Sequence, residues 1–434
     1  MDRKLMLFVP YVLAFATACG GSSSDDNGGN PNPNPTDPPM FADMNVVRHP
    51  MAATQPADAQ SPYSAKLQDC VFSNTRSVSC TFADLPLLGD ETDDPTIDEV
   101  MERVLVSHPW MGTRFREVLE ALPDDMRLML RAITAVVISS DVRPSFYWTR
   151  TGAIYLDPET LWLTPAERAT IPDIPDFRSG FGGDLQFSMP WRWVKDNDYA
   201  MRSTPVGVAR ELDDILIGIG ALLYHELAHA NDFFPPEQQR NLPLNVEVWR
   251  ATARPSVSDD LHELMPLQSE VMRGLARVRF HGDTATPTQR AYTPADVAGF
   301  FRADTAPAFY NYASIREDLA MLFESVVMHA HFGVERDIAV TNNPQGDNVT
   351  GNDYIVEWGQ RNRVGDPAIK ERARYAVARL LPEVSLDAYI DALPGPREMR
   401  QGENWNQNLD LDPAAPGPKS DRPYQPVQEL PGYH

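Results

Sequence analysis

The segment Leu222–Pro236, LLYHELAHANDFFPP, places two histidines four residues apart with a glutamate directly after the first. An α-helix turns once every 3.6 residues, so residues four apart share a face. His225 and His229 can therefore offer two imidazole nitrogens to one ion. Glu226 falls on the neighbouring face, where it can reach a water held by that ion without binding the ion itself. A catalytic zinc takes three protein ligands and keeps a fourth position open, and it lowers the pKa of a water there to about 7. The spacing points to hydrolysis, with one Zn2+ per chain and Glu226 as general base. The rest of the helix is apolar, with Ile215, Ile217, Ile219, Leu222, Leu223 and Leu227. Polar side chains in that setting need partners.

Two histidines require a third ligand. The residues after His229, ANDFFP, lack the Gly and third His of the HExxHxxGxxH pattern. A later helix, SIREDLAMLFES, supplies Glu317 and, two turns on and roughly on the same face, Glu324. Both remain open on spacing alone. HELAHAND followed by Y…REDLA…F resembles the gluzincin branch of the zincin metallopeptidases, nearest to the group that resembles anthrax lethal factor. The resemblance implies His225 and His229 as zinc ligands, Glu226 as base and Glu317 as third ligand, with Glu324 the alternative metal ligand. Asp232 matches the family's Asp just past the motif and would orient the site. A tyrosine shortly before the third ligand would stabilise the oxyanion. Tyr310 and Tyr312 both lie in that window, and Tyr310 has the better spacing. The chain departs from the family at Met321, where a second carboxylate is frequent. The likeness covers two short segments and implies a zinc endopeptidase acting on protein or peptide substrates. In zincins the substrate also adds as a strand along a sheet edge upstream of the motif. Thr151–Asp157, TGAIYLD, sits where such a strand would be, with an interior strand as the alternative.

The elements that must position these residues follow from periodicity. Helical patterns cover Ile97–Val106, Arg114–Leu122 and Asp124–Ile138, the last two separated by Pro123. Ala153–Leu156 reads as a strand, and Leu185–Phe187 as a weaker one. The motif helix is expected to run from a Thr204 cap, with Pro205 in its first turn, to Pro235. Gly218 and Gly220 inside it each weaken a helix by roughly 1 kcal/mol relative to Ala, which predicts close approach by another element. Further helices are expected near Pro266–Val278, from Ser314 to His331, and over Ala368–Leu381 and Leu386–Leu393. His329 and His331 read as helix-surface or ligand-supporting residues rather than ligands. Arg143–Trp148, RPSFYW, either lines a cleft or packs in the core. The oxygen-rich Asn342–Asp353 reads as a polar loop rather than a calcium site. The fold class is α+β and mostly helical, a zincin-like domain with an active-site helix and a small edge-strand sheet.

The amino terminus has the layout of a secretion signal: Arg3 and Lys4, an apolar run, then small residues before Cys19. Those residues resemble the lipobox of bacterial lipoproteins. The resemblance implies cleavage after residue 18 and lipidation of Cys19 on the cell envelope, at the outer membrane facing the periplasm or the exterior. Residues 19–43 form a Gly/Ser/Asn/Pro tether. Cys70 and Cys80 flank VFSNTRSVS and are expected to close a disulfide across a hairpin in an oxidising compartment. The domain reading is a small β-containing region over 44–95, the zincin-like domain over 96–402 and an irregular tail over 403–434. With 38 basic and 61 acidic residues the net charge is −23, which repels nucleic acid and anionic headgroups. No nucleic-acid partner is expected, and the membrane is met through the lipid alone. The rival readings are an inactive zincin-like lipoprotein that binds a cell-envelope partner and a zinc amidase acting on peptidoglycan.

Overall fold

Two small sheets and two long helices frame one main core. In the computed structural model the described residues are 54–72, 79–173, 175–201, 203–205, 207–252, 255–346 and 348–411. The signal segment, Cys19 and the tether lie outside them. Among the described residues no helix is long and apolar enough to cross a membrane.

The first sheet contains β1 (Gln55–Pro56), β2 (Val104–Val106), β3 (Val136–Ile138), β4 (Phe146–Trp148) and β5 (Ala153–Leu156) in the order β1-β2-β3-β5-β4. The pairs β2–β3 and β3–β5 are parallel, whereas β1 and β4 join antiparallel at the two edges. Every residue of the three central strands is buried, as expected of parallel strands covered on both faces. That burial explains a misreading of the sequence. The helices over Ile97–Met101 and Asp125–Met129 stop early, and the apolar residues that follow are strands. A short all-apolar run carries no period that separates strand from helix. The structure also corrects the expected substrate strand. β5 is interior, bonded to β3 on one side and β4 on the other, so the edge strand next to it is β4.

The second sheet comprises β6 (Phe187–Ser188), β7 (Trp191–Lys195), β8 (Asp198–Tyr199), β9 (Glu335–Asn342), β10 (Val356–Arg361) and β11 (Arg397–Glu398). It is antiparallel, ordered β11-β10-β9-β7-β8, with β6 also on β9. Its centre is an ionic clamp: buried Asp337 accepts from Arg192 at 2.7 Å and from Arg361 at 2.6 Å, tying β7, β9 and β10 together. Residues 403–411, expected to be irregular, pack onto this sheet. Trp405 is buried beneath Arg192, whose guanidinium lies 4.0 Å from its ring.

The motif helix spans Leu212–Phe233 and starts later than Thr204. Arg210 explains the shift. Its backbone N–H donates to the Leu163 carbonyl at 2.7 Å and its guanidinium stacks 3.7 Å from the Trp162 ring, holding the preceding chain off the helix axis. Glu211 and Asp214 then form a reciprocal cap. The Glu317 helix spans Ile315–Phe332, capped by Ser314 and ended by Gly333 at φ 64°. The two helices pack on each other. At Gly220 a Cβ would meet Phe332 at 3.2 Å and Leu122 at 3.4 Å, which accounts for that glycine.

Of the 44–95 stretch, residues 54–72 and 79–95 are described, and they join the rest of the fold. β1 pairs with β2, and Phe82, Leu87 and Leu88 belong to the same core as the motif helix. Cys70 and Cys80 are disulfide-bonded. Cys70, however, lies in a short helix, Leu67–Val71, rather than in a hairpin strand. Leu67, Cys70 and Val71 recur at helical spacing and pack on Leu105, Val137 and Tyr155.

Candidate metal centre

The motif helix and the Glu317 helix bring three donor atoms together. His225 Nε2 lies 2.9 Å from Glu317 Oε2 and 3.2 Å from His229 Nε2, and His229 Nε2 lies 3.4 Å from Glu317 Oε2. His225, His229 and Glu317 form a buried group that could hold a metal ion. Their residues are only 2%, 2% and 5% exposed, and Glu226 is 4% exposed. The Ser314 hydroxyl accepts the backbone N–H of Glu317 at 3.1 Å, so Glu317 sits in the first turn of its helix with its carboxylate facing the motif helix.

The charges sit close together in a dry setting. Burial alone would lower the pKa of His225, but its bonds to Glu317 and Glu324 outweigh this and raise it to about 8. Burial opposes ionisation of Glu317, yet His229 and His225 hold its carboxyl well below the usual carboxylate range. Glu226 moves the other way. Burial pushes its carboxyl up, offset in part by the two imidazoles and by a hydrogen bond from the Tyr147 backbone N–H on β4. A carboxyl raised by burial is a stronger base than a solvated one.

Glu324 stands outside the donor triangle. Its Oε2 lies 3.2 Å from His225 Nδ1, on the far side of the ring, and its other oxygen pairs with Arg336. Met321 is buried and supplies no carboxylate. Asp232 accepts from the Ser258 backbone N–H at 2.7 Å and its hydroxyl at 2.8 Å, and pairs with Arg316 at 3.1 Å. These bonds tie the end of the motif helix to the start of the Glu317 helix. Of the two tyrosines, Tyr310 faces the site, its ring centroid 6.1 Å from that of His225. The Tyr312 hydroxyl donates instead to Asp304 at 3.0 Å. His331 bonds Asp125 at 2.7 Å and His329 bonds Tyr389 at 2.6 Å, so neither belongs to the donor group.

Arg178 was not legible in the sequence. Its guanidinium forms a two-pronged pair with Asp176, at 3.0 Å from Nε and 2.6 Å from Nη2, and both residues are buried. Burial would lower its pKa, but the Asp176 bond and the nearby Tyr310 and Glu317 raise it. The loop that carries it is pinned at Phe181. The Phe181 carbonyl accepts from Arg279, and its ring lies 2.7 Å from where a Cβ on Gly282 would stand, a residue at φ 75°. Nothing in a lone Asp-x-Arg within a Gly-rich loop marks a site. Only the fold brings it to Tyr310.

Compared with family models, curated proteins and solved structures, the chain matches none of them.

Proposed function

We propose that the chain is a zinc-dependent hydrolase of peptide bonds, held at a bacterial cell envelope through a lipid on Cys19. The observation that carries this reading is the donor triangle with Glu226 beside it. A tetrahedral zinc with ligands at about 2.0–2.1 Å sets its ligand atoms about 3.3 Å apart, and the three separations of 2.9, 3.2 and 3.4 Å fit that spacing. His225, His229 and Glu317 would hold the ion. When bound, it supplies Lewis acidity, lowering the pKa of a water to about 7 and polarising a carbonyl.

The chain's own residues do the rest. Glu226, buried and hydrogen-bonded by Tyr147, takes the proton from the attacking water and returns it to the leaving amine. Tyr310, facing His225, is placed to donate to the oxygen that gains charge. A peptide pairing with the outer edge of β4 would lie against Glu226, because Tyr147 on that strand already bonds it. Zinc content and cleavage of an unstructured protein test the reading together. Glu226→Gln should retain one zinc and lose hydrolysis, and full activity in that variant would refute it. The burial of all four residues favours a second reading, a zincin-like lipoprotein that binds an envelope partner without catalysis. Binding of a hydroxamate to the zinc-loaded chain excludes this alternative, and failure to bind supports it.

A further inference from the structure

We infer that Glu324 and Arg336 act together as positioning residues for His225, an inference that rests on the metal reading above. His225 contributes Nε2 to the donor triangle, so its Nδ1 must carry the proton when Nε2 holds an ion. Glu324 is completely buried and presents Oε2 to that Nδ1 at 3.2 Å. A carboxylate in this role fixes the ring's tautomer and orientation and makes the imidazole a stronger donor. That contact uses one carboxylate oxygen, and the other also needs a donor in so buried a setting. Arg336 supplies it, pairing with that oxygen and holding the carboxylate in place.

The second sheet builds the support. In β7, Trp191 and Trp193 lie two apart and share a face, while Arg192 between them points to the opposite one. Register sets Trp193 against Arg336 and Arg192 against Asp337. The two arginines therefore form ion pairs on opposite faces: Arg192 with Asp337 inside the sheet clamp, Arg336 with Glu324 toward the metal centre. The Arg336 guanidinium lies 4.4 Å from the Trp191 ring and 4.3 Å from the Trp193 ring, and is only 5% exposed. Its Nε makes no hydrogen bond among the described residues, so the aromatic faces hold that side of the group. The chain Trp191/Trp193–Arg336–Glu324–His225 thus couples the second sheet to one ligand.

The test measures zinc affinity of the full-length chain by competition with a chromophoric chelator. Selectively 15N-labelled histidine reads the His225 Nδ1–H signal in the zinc-loaded protein. Glu324→Gln and Arg336→Met should each weaken zinc binding about 10–100-fold and move that proton signal upfield. The double variant should be no weaker than Glu324→Gln alone, because both changes act through one contact. Arg336→Lys, which keeps the charge, should recover part of the affinity and serves if Arg336→Met does not fold. Wild-type affinity and an unchanged proton signal in Glu324→Gln would overturn the inference while leaving the metal reading intact. A wild-type chain that binds no zinc would overturn both.

Discussion

Replacing Glu317 by Gln removes the charge lodged between two buried imidazoles, and the metal-free chain should register the loss as a change in the pH dependence of its stability. Burial would push His225 below its ordinary 6.5, yet bonds to Glu317 and Glu324 raise it to about 8. A rise from 6.5 to about 8 corresponds to about 2 kcal/mol of folding stability. Because the folded value is the higher one, this contribution is complete below pH 6.5 and lost as pH climbs through 8. The Glu317 carboxyl is displaced the opposite way, well below its ordinary 4.5, by His229 and His225 against the effect of burial. Its contribution is present above pH 4.5 and lost as pH falls through the folded value. The metal-free wild type should therefore be most stable between about pH 5 and 6.5 and weaken toward pH 9. Glu317→Gln should lose up to about 2 kcal/mol within that window, since Glu324 still holds part of the His225 shift, and less above it. With roughly 350 folded residues at about 2.1 cal/mol/K each, that loss lowers Tm by up to about 3 °C. Thermal unfolding with a chelator present, at half-unit steps from pH 5 to 9, makes the comparison. Parallel curves for the two proteins would refute the reasoning.

Tyr310→Phe should leave zinc content unchanged and reduce kcat by about 100-fold, as removal of an oxyanion donor does elsewhere; equal kcat in peptide hydrolysis would exclude Tyr310 from that role. Cys70→Ser opens a bridge between residues separated by 10 positions, and loop-closure entropy for so short a loop gives a loss of about 3 kcal/mol, read by denaturant unfolding of the oxidised proteins. Gly220→Val and Gly218→Ala should move stability in opposite directions. The first forces a side chain against Phe332 and Leu122 and should cost about 1–3 kcal/mol, while the second meets only the flexible end of Met201 and should gain up to about 1 kcal/mol. Melting curves of the two variants that shift in the same direction would contradict the packing described.

Local chemistry made part of this protein readable in its sequence. The i, i+4 spacing of His225 and His229 needs nothing but helix geometry, and both imidazoles do meet in the donor triangle. Ser314 marks the start of the Glu317 helix because its hydroxyl caps it, and Gly220 announced a close neighbour that proved to be Phe332. At two short apolar runs period failed: Val104–Val106 and Val136–Ile138 are strands, hydrogen-bonded to neighbours on both sides and buried on both faces. Which carboxylate joins the histidines was likewise beyond spacing. Glu317 and Glu324 share one helix stripe, and only the packing of that helix on the motif helix sets Glu317 at Nε2 and Glu324 at Nδ1 of the same ring. Arg336, Arg178 and the β4 edge are further cases, brought to the centre by strand register and loop anchoring over distances that no sequence window spans. The sequence alone determined the residue types and helical spacings of the centre, since those depend on neighbours along the chain. The tertiary structure alone decided the partners, because burial and ion pairing depend on neighbours in space.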